Sequence, residues 1–440
     1  MTFLIELCIN LCLFDVNELL KLKTINRKLQ TYIYHNAKIS VTNVEKVKDH
    51  SMFRNFEALQ KQLKKLSVDL VIADPFEKHE IQNITSLHSL KIIGEDFDWS
   101  VLKSFVNLKN FCYFVSDRTF KNFSPGIVEE LTSLTKLVFM GHSSIKDFSL
   151  RKLVNLEILQ LENLYNVKNH YIEDLTNLHT LTLNDSNSGV FCTTYQGVNI
   201  YDYQLEKLTG LTRLDLNNNS TITSAGIKNL NIKSLSLNYN TTITSEGIRH
   251  LHLKSISLGS NKLISNDVIS KMTQLESISL DSNEEINDLT LEKLTNLRLL
   301  ELRDNDTITN KSVSLLTKLT FLDLGNNKNI TSEALVDMLD IRHLSLYAND
   351  IIGSGSISHM TKIIDLNLNG NKIISDVDLK NITNVVHLTL WGDKIPSVCK
   401  VTFDYVSRLS KLKTICLIDN HTISAENREE LKAKGVYVWV

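Results

Sequence analysis

Side chains able to do acid–base, nucleophilic or metal chemistry are plentiful in this 440-residue sequence, but they do not converge. No His-Glu-x-x-His, Gly-x-Ser-x-Gly, Gly-x-x-x-x-Gly-Lys or Gly-x-Gly-x-x-Gly pattern occurs, so the usual signatures of a zinc hydrolase, a serine hydrolase and a phosphate-cradling loop are missing. The 13 histidines are scattered. Two of them, His343 and His387, recur at one position of a sequence repeat, two repeats apart. If each repeat adds one strand, they stand about 10 Å apart, too far to share a metal ion. Cys8 and Cys12 lie one helical turn apart and read as core thiols. None of the six cysteines forms a Cys-x-x-Cys pair, which points to a reducing compartment rather than a disulfide framework. The acidic residues show no close pair, and no arginine is singled out on a turn. The expectation is therefore a protein that is not an enzyme, with no catalytic residue, cofactor or metal.

What the sequence does gather is a surface. Counting from the first leucine of each repeat, the residues two, four and six places on should point away from the core. In the later repeats these become large or charged. They are Leu299, Glu301 and Arg303, then Phe321 and Asp323, then His343 and Tyr347, and finally His387 and Trp391. Aromatic and arginine anchors carry much of the energy of protein interfaces, so these nine residues form the candidate partner-binding patch. A second candidate is an insertion that makes the repeat at Leu178 33 residues long. Long irregular loops are often functional, and this one carries Phe191, Tyr195, Tyr201 and Tyr203. It reads equally as a tolerated loop packed on the edge of the array.

The element that must position these residues is the repeat itself. Leu-x-x-Leu-x-Leu-x-x-Asn recurs in phase at Leu211, Ile232, Leu253, Leu275, Leu297, Leu319, Ile341 and Ile363, every 21 or 22 residues. Weaker units begin at Leu63, Leu87, Leu108, Leu134, Leu156 and Leu178, and at Val385 and Leu412, making 16 in all. The alternating leucines predict a short strand with one face in the core. The asparagine, from Asn219 to Asn371 with Asp393 and Asn420 continuing less regularly, predicts a ladder of buried amides that satisfies the turn's backbone. The segments TITSAGIKNL, TITSEGIRHL and NITSEALVDML then place a core isoleucine (Ile222, Ile243, Ile330) before a short helix, with Ser224, Ser245 and Ser332 as expected N-caps. Parallel pairing of 16 such strands predicts an α/β solenoid about 75 Å long. Strands would line the concave face, short helices the convex one, and the tail VYVWV would form a last cap strand.

This pattern, over residues 63–440, resembles the leucine-rich-repeat family, and the ITSEGI turns resemble those of repeats in F-box proteins. Those relatives usually carry cysteine where this chain has the ladder asparagine. Residues 1–40 lie outside the repeat, and residues 41–62 read as a linker or N-terminal cap. The stretch Glu18-Leu19-Leu20-Lys21-Leu22-Lys23-Thr24-Ile25-Asn26-Arg27-Lys28-Leu29 is similar to the second half of an F-box. Leu29 stands where an aromatic is usual, and the family's Leu-Pro start is absent. The resemblance implies that Phe3, Leu7, Leu11, Leu13, Leu19, Leu20 and Ile25 dock a Skp-type adaptor of a cullin–RING ubiquitin ligase, while the concave face holds the target for ubiquitination. A plain scaffold with an apolar helical cap fits the same residues, since a repeat array needs a cap.

Composition agrees with a binding array. With 42% hydrophobic and 22% charged residues the chain can bury a large core, which excludes a disordered polymer. A net charge of −2 supplies no field that would draw it to nucleic acid or an anionic membrane. The N-terminus is apolar but has no basic segment before it, and no run is long enough to span a bilayer. The expected setting is the cytoplasm, that of a host cell if the chain is viral or from a pathogen.

Overall fold

A computed structural model describes residues 38–41, 67–72, 87–93, 99–114, 125–144, 150–165, 172–184, 200–353, 355–391 and 400–440. The chain separates into two units, residues 1–231 and 232–440. The F-box-like residues Phe3, Leu7, Leu11, Leu13, Leu19, Leu20 and Ile25 lie outside the described residues, as do Phe191 and Tyr195 of the insertion and Asp393 of the ladder.

In the first unit the described strands are β1 (Lys38–Val41), β2 (Ser67–Ile72), β3 (Leu87–Ile93), β4 (Asn110–Phe114), β5 (Lys136–Ser144), β6 (Ile158–Tyr165), β7 (Thr180–Asn184) and β8 (Arg213–Asp215). Each is parallel to the next. β1 is one strand more than the repeat pattern foretells. It pairs Lys38 with Ser67, so the sheet starts ahead of the first repeat legible at Leu63. Beneath these strands Trp99, Phe105, Phe111, Tyr113 and Phe139 are all buried. Trp99 meets Tyr113 edge-on with ring centroids 4.9 Å apart, an arrangement that aromatic quadrupoles favour.

The second unit is more regular. Its strands are β9 (Ser234–Ser236), β10 (Ser255–Ser257), β11 (Ser277–Ser279), β12 (Leu299–Glu301), β13 (Phe321–Asp323), β14 (His343–Ser345), β15 (Asp365–Asn367), β16 (His387–Thr389), β17 (Thr414–Cys416) and β18 (Tyr437–Trp439). All pair in parallel and in register, so Leu300, Leu322, Leu344, Leu366 and Leu388 form one row. Every one of the 16 predicted repeats therefore contributes a strand, β2 to β17, and the VYVWV tail adds β18.

The repeat holds because each turn has its polar groups answered. One repeat buries Leu319, Leu322, Leu324, Ile330, Leu335 and Met338, each side chain adding about 2 kcal/mol of transfer free energy. The ladder asparagine then joins two repeats. The Nδ2 of Asn305 donates to the carbonyls of Leu280 and Asn283 at 2.8 and 3.0 Å. Its Oδ1 accepts from the amides of Thr307 and Ile308 at 3.1 and 2.9 Å. The same pattern runs from Asn261 to Asn371, and Asn420 resumes it by donating to Leu390. The residue before each ladder asparagine is left-handed, for example Asp304 (φ 51°) and Ala348 (φ 46°), and only once is it glycine, Gly370.

The helices of the regular repeats are single turns, unlike the nine-residue Ala425–Ala433 near the end of the array, and their caps correct the sequence reading by one residue. Thr223, Thr244 and Thr331 are the N-caps, while Ser224, Ser245 and Ser332 are the first helical residues. Threonine at that place has the extended backbone a cap needs, and Thr223 Oγ1 accepts from the Ala225 amide. The first helical residue does something different, because its side chain accepts the cap amide of the following repeat. Ser245 takes Ser265 N, Asn266 takes Asn287 N, Asp288 takes Thr309 N, Asn310 takes Thr331 N and Ser332 takes Gly353 N, at 2.8 to 3.1 Å. A second polar ladder thus runs down the helix side, parallel to the asparagines. Among the described residues no helix is long and apolar enough to cross a membrane.

Candidate functional site

Helices cover one face of the second unit's sheet and leave the other open. On that face, in-register pairing turns the predicted positions into rows. Position two reads Leu299, Phe321, His343, Asp365, His387, Thr414, Tyr437, and position four reads Ser279, Glu301, Asp323, Ser345, Asn367, Thr389, Cys416, Trp439.

The structure draws the predicted residues into two groups. The first centres on Arg303. Its guanidinium pairs with Asp323 at 3.0 Å and lies 5.7 Å from the Tyr347 ring centroid, within cation–π range. Gly325 makes this reach possible. A Cβ there would lie 3.2 Å from Arg303 Nε and 3.1 Å from Asp323 Oδ1. Asp323 is buried and also accepts the Gly325 amide at 2.8 Å. On the other side the Arg303 amide donates to Asp281 Oδ1 at 2.9 Å. Burial pushes the Asp281 carboxyl up to about 6, with the charges of Glu301 and Asp323 adding to the shift and the Arg303 amide opposing it. Beside this group Phe321 stacks on His343 at 5.8 Å, and His343 Nδ1 stands 3.5 Å from Asp365. Leu299 is half-buried next to Phe321.

The second group centres on Trp391, which is exposed and whose indole N–H donates to Asp419 at 3.4 Å. His387 turns the same way and meets the Thr414 hydroxyl at 2.6 Å. His343 and His387 therefore serve different groups, and among the described residues no cluster of three or more His, Cys, Asp or Glu side chains could hold a metal. At the end of the sheet Tyr437 and Trp439 are exposed with ring centroids 5.0 Å apart. Sequence reasoning left these two out, although the alternation in VYVWV was the signal for them. It also missed Asp281 and Asp419, whose importance lies in contacts rather than position.

Of the insertion residues, Tyr201 and Tyr203 are described. They stack on each other at 6.3 Å beside the helix Asp202–Leu205, exposed and well apart in sequence from the second unit's rows. The outward positions of the first unit are not all small or polar. They include the half-buried Phe114, Met140 and Ile158 and the buried Val138, with the Lys91 ammonium 4.6 Å over the Phe114 ring. Cys112 and Cys416 are free and half-buried at position four of the open face, while Cys8 and Cys12 lie outside the described residues.

Comparison with known proteins bears on the fold. Residues 228–251 and 315–338 match the family model described as Leucine Rich repeat. No curated protein matches the sequence. Among solved structures, the chain is similar to an internalin from Listeria monocytogenes, at 21% identity over 78% of this chain and 89% of that one, with a TM-score of 0.40. It is similar to TLR13 in its complex with ssRNA13, at 17% identity over 87% of this chain and 60% of that one, with a TM-score of 0.43. It is also similar to a chain of the Drosophila Toll–Spatzle complex, at 16% identity over 86% of this chain and 60% of that one, with a TM-score of 0.38. The matched segments and the strand–turn–helix repeat in which they lie make the fold that of a leucine-rich-repeat array.

Proposed function

We propose that the chain is a protein-binding module that holds a target protein on the open face of residues 232–440. Leucine-rich-repeat proteins in general mediate protein–protein interaction, and the Arg303 group is the observation that supports the reading here. An arginine anchored on one side by a buried carboxylate and laid along a tyrosine is already ordered before a partner arrives, which spares the entropy of ordering it on binding. Tyr347 and Trp391 remain exposed nearby, as interface anchors do. The test is a photo-crosslinking residue at Tyr347, compared with one at Leu339 on the helix side. A discrete protein adduct from position 347 alone is the expected result, and adducts from position 339 alone would refute it.

The finer reading is a substrate-recognition subunit of a cullin–RING ubiquitin ligase, with residues 1–40 docking a Skp-type adaptor. It rests on the F-box-like stretch Glu18–Leu29. One observation favours the plain scaffold instead: Lys38–Val41, where the F-box-like segment ends, is itself a strand of the repeat sheet and pairs with β2. A pull-down with purified Skp adaptor separates the two. Binding that is lost on Leu19→Asp with Leu20→Asp supports the ligase subunit, and no binding by the full chain leaves the scaffold.

A further inference from the structure

Four carboxylates, Asp281, Glu301, Asp323 and Asp365, occupy positions two, four and six of the open face from β11 to β18, against one guanidinium and no lysine. The guanidinium is engaged. Arg303 is held by Asp323 and laid along Tyr347. Of the cations at the strand entrances, Lys254 pairs with Glu276 and Lys362 with Asp340, and Arg298 and Arg342 stand beside those same acids, while Lys413 lies at the entrance of β17, two strands beyond β15. This leaves Glu301 and Asp365, on strands β12 and β15, facing outward with their charge unneutralised by lysine or arginine on the face. Asp365 is 45% exposed, and its nearby histidine, His343, also stacks on Phe321. The exposed aromatics of the same face, Tyr347, Trp391, Tyr437 and Trp439, all stand on β14 to β18 or just beyond their ends. Carboxylates and exposed aromatics on one face offer a segment with several lysines or arginines an opposite charge for some heads and a π face for other cations and stems.

We infer that the open face of residues 232–440 takes a cationic polypeptide segment, whose lysines or arginines sit between Glu301 and Asp365 and along Tyr347, Trp391 and Trp439. This rests on the reading of that face as the partner site and specifies the partner's chemistry. A polyanion such as RNA would meet the carboxylates and be repelled.

The test uses the full chain and a fluorescein-labelled Lys-Gly-Ser repeat peptide in anisotropy titrations. Its arms are the same peptide with Nε-acetylated lysines, a single-stranded oligouridine, and two double variants. Glu301→Gln with Asp365→Asn removes the outward charges. Glu333→Gln with Asp337→Asn removes two exposed acids of the helix side and serves as the control. The cationic peptide should bind, weaken about tenfold with the first variant and as salt rises, and keep its affinity with the control. Acetylation should abolish binding. Equal binding of the acetylated peptide or of oligouridine, or no change with the first variant, overturns the inference. Because acetylation changes only the ligand, that arm does not depend on how the variants fold. Should the peptide fail while a crosslinker at position 347 still captures a protein, the face is the partner site but the partner is not cationic. Failure of both removes the site itself.

Discussion

Arg303 and Tyr347 stand two strands apart, yet guanidinium and ring are 5.7 Å from each other because the strand between them carries Gly325 at the same position. Any side chain there would push on Arg303 Nε and Cγ. Gly325 has an ordinary φ, so its value lies in absent volume and not in backbone freedom. The partner face is therefore shaped as much by what is missing as by its anchors.

Replacing Gly325 with leucine should lift Arg303 off Tyr347 and Asp323 without unfolding the array. Arg303→Ala alone should cost about 1 kcal/mol, since the arginine is half exposed and its ion pair is screened on one side. On the Gly325→Leu background the same change should cost little more. Urea denaturation of the four proteins of this cycle checks the coupling, and additive losses would mean the two residues act separately.

The asparagine ladder should be the most sensitive part of the repeat. Asn305 is fully buried and answers two carbonyls and two amides. Asn305→Ala strands those four groups, and the expected loss is about 3 kcal/mol or more. Asn305→Asp keeps the acceptors but loses the donors and buries a charge, so it should be no milder. A loss below about 1 kcal/mol in denaturation would show that the turn satisfies its backbone by other means.

Ala348 offers the opposite case. It is left-handed at φ 46° with no polar side chain to compensate, where the next repeat has Gly370. Ala348→Gly should stabilise the array by about 1 kcal/mol, less the extra entropy that glycine gives the unfolded chain. A lower melting temperature would argue against strain at this site.

Asp281 sets a pH dependence. Its folded value of about 6 lies above the ordinary aspartate value of 3.8, so between these pH values the folded state holds more proton than the unfolded one. Its contribution to stability therefore increases as pH falls from about 6 towards 4, and is unfavourable at neutral pH. Asp281→Asn keeps an acceptor for the Arg303 amide and should stabilise at neutral pH by about 1 kcal/mol after allowance for solvent screening. Denaturation at both ends of the window should show the gain vanish on the acid side. A gain independent of pH would assign it to packing.

The strands, the ladder and the face assignment were legible because leucine and asparagine recur with a fixed period and each has one physical role. β1 was not, because Lys38–Val41 carries neither the leucine pair nor the asparagine and is known only by its pairing with β2. The caps slipped by one because threonine and serine both cap well and only the backbone tells which is extended. Position placed Arg303, Phe321, Tyr347 and Trp391 on one face, but not their partners. Asp281, Gly325 and Asp419 act through contacts between repeats that no single repeat displays.

Whether the partner lies on the open face of residues 232–440 is tested most directly by the amount of protein that co-purifies with the affinity-tagged full chain when Tyr347→Ala is combined with Trp391→Ala. The matched control is Leu315→Ala with Leu339→Ala, which trims the exposed apolar side chains of the helix face. Loss of the bound protein with the first pair and retention with the second is the predicted result; retention with the first and loss with the second would place the partner on the helices and contradict the open-face assignment.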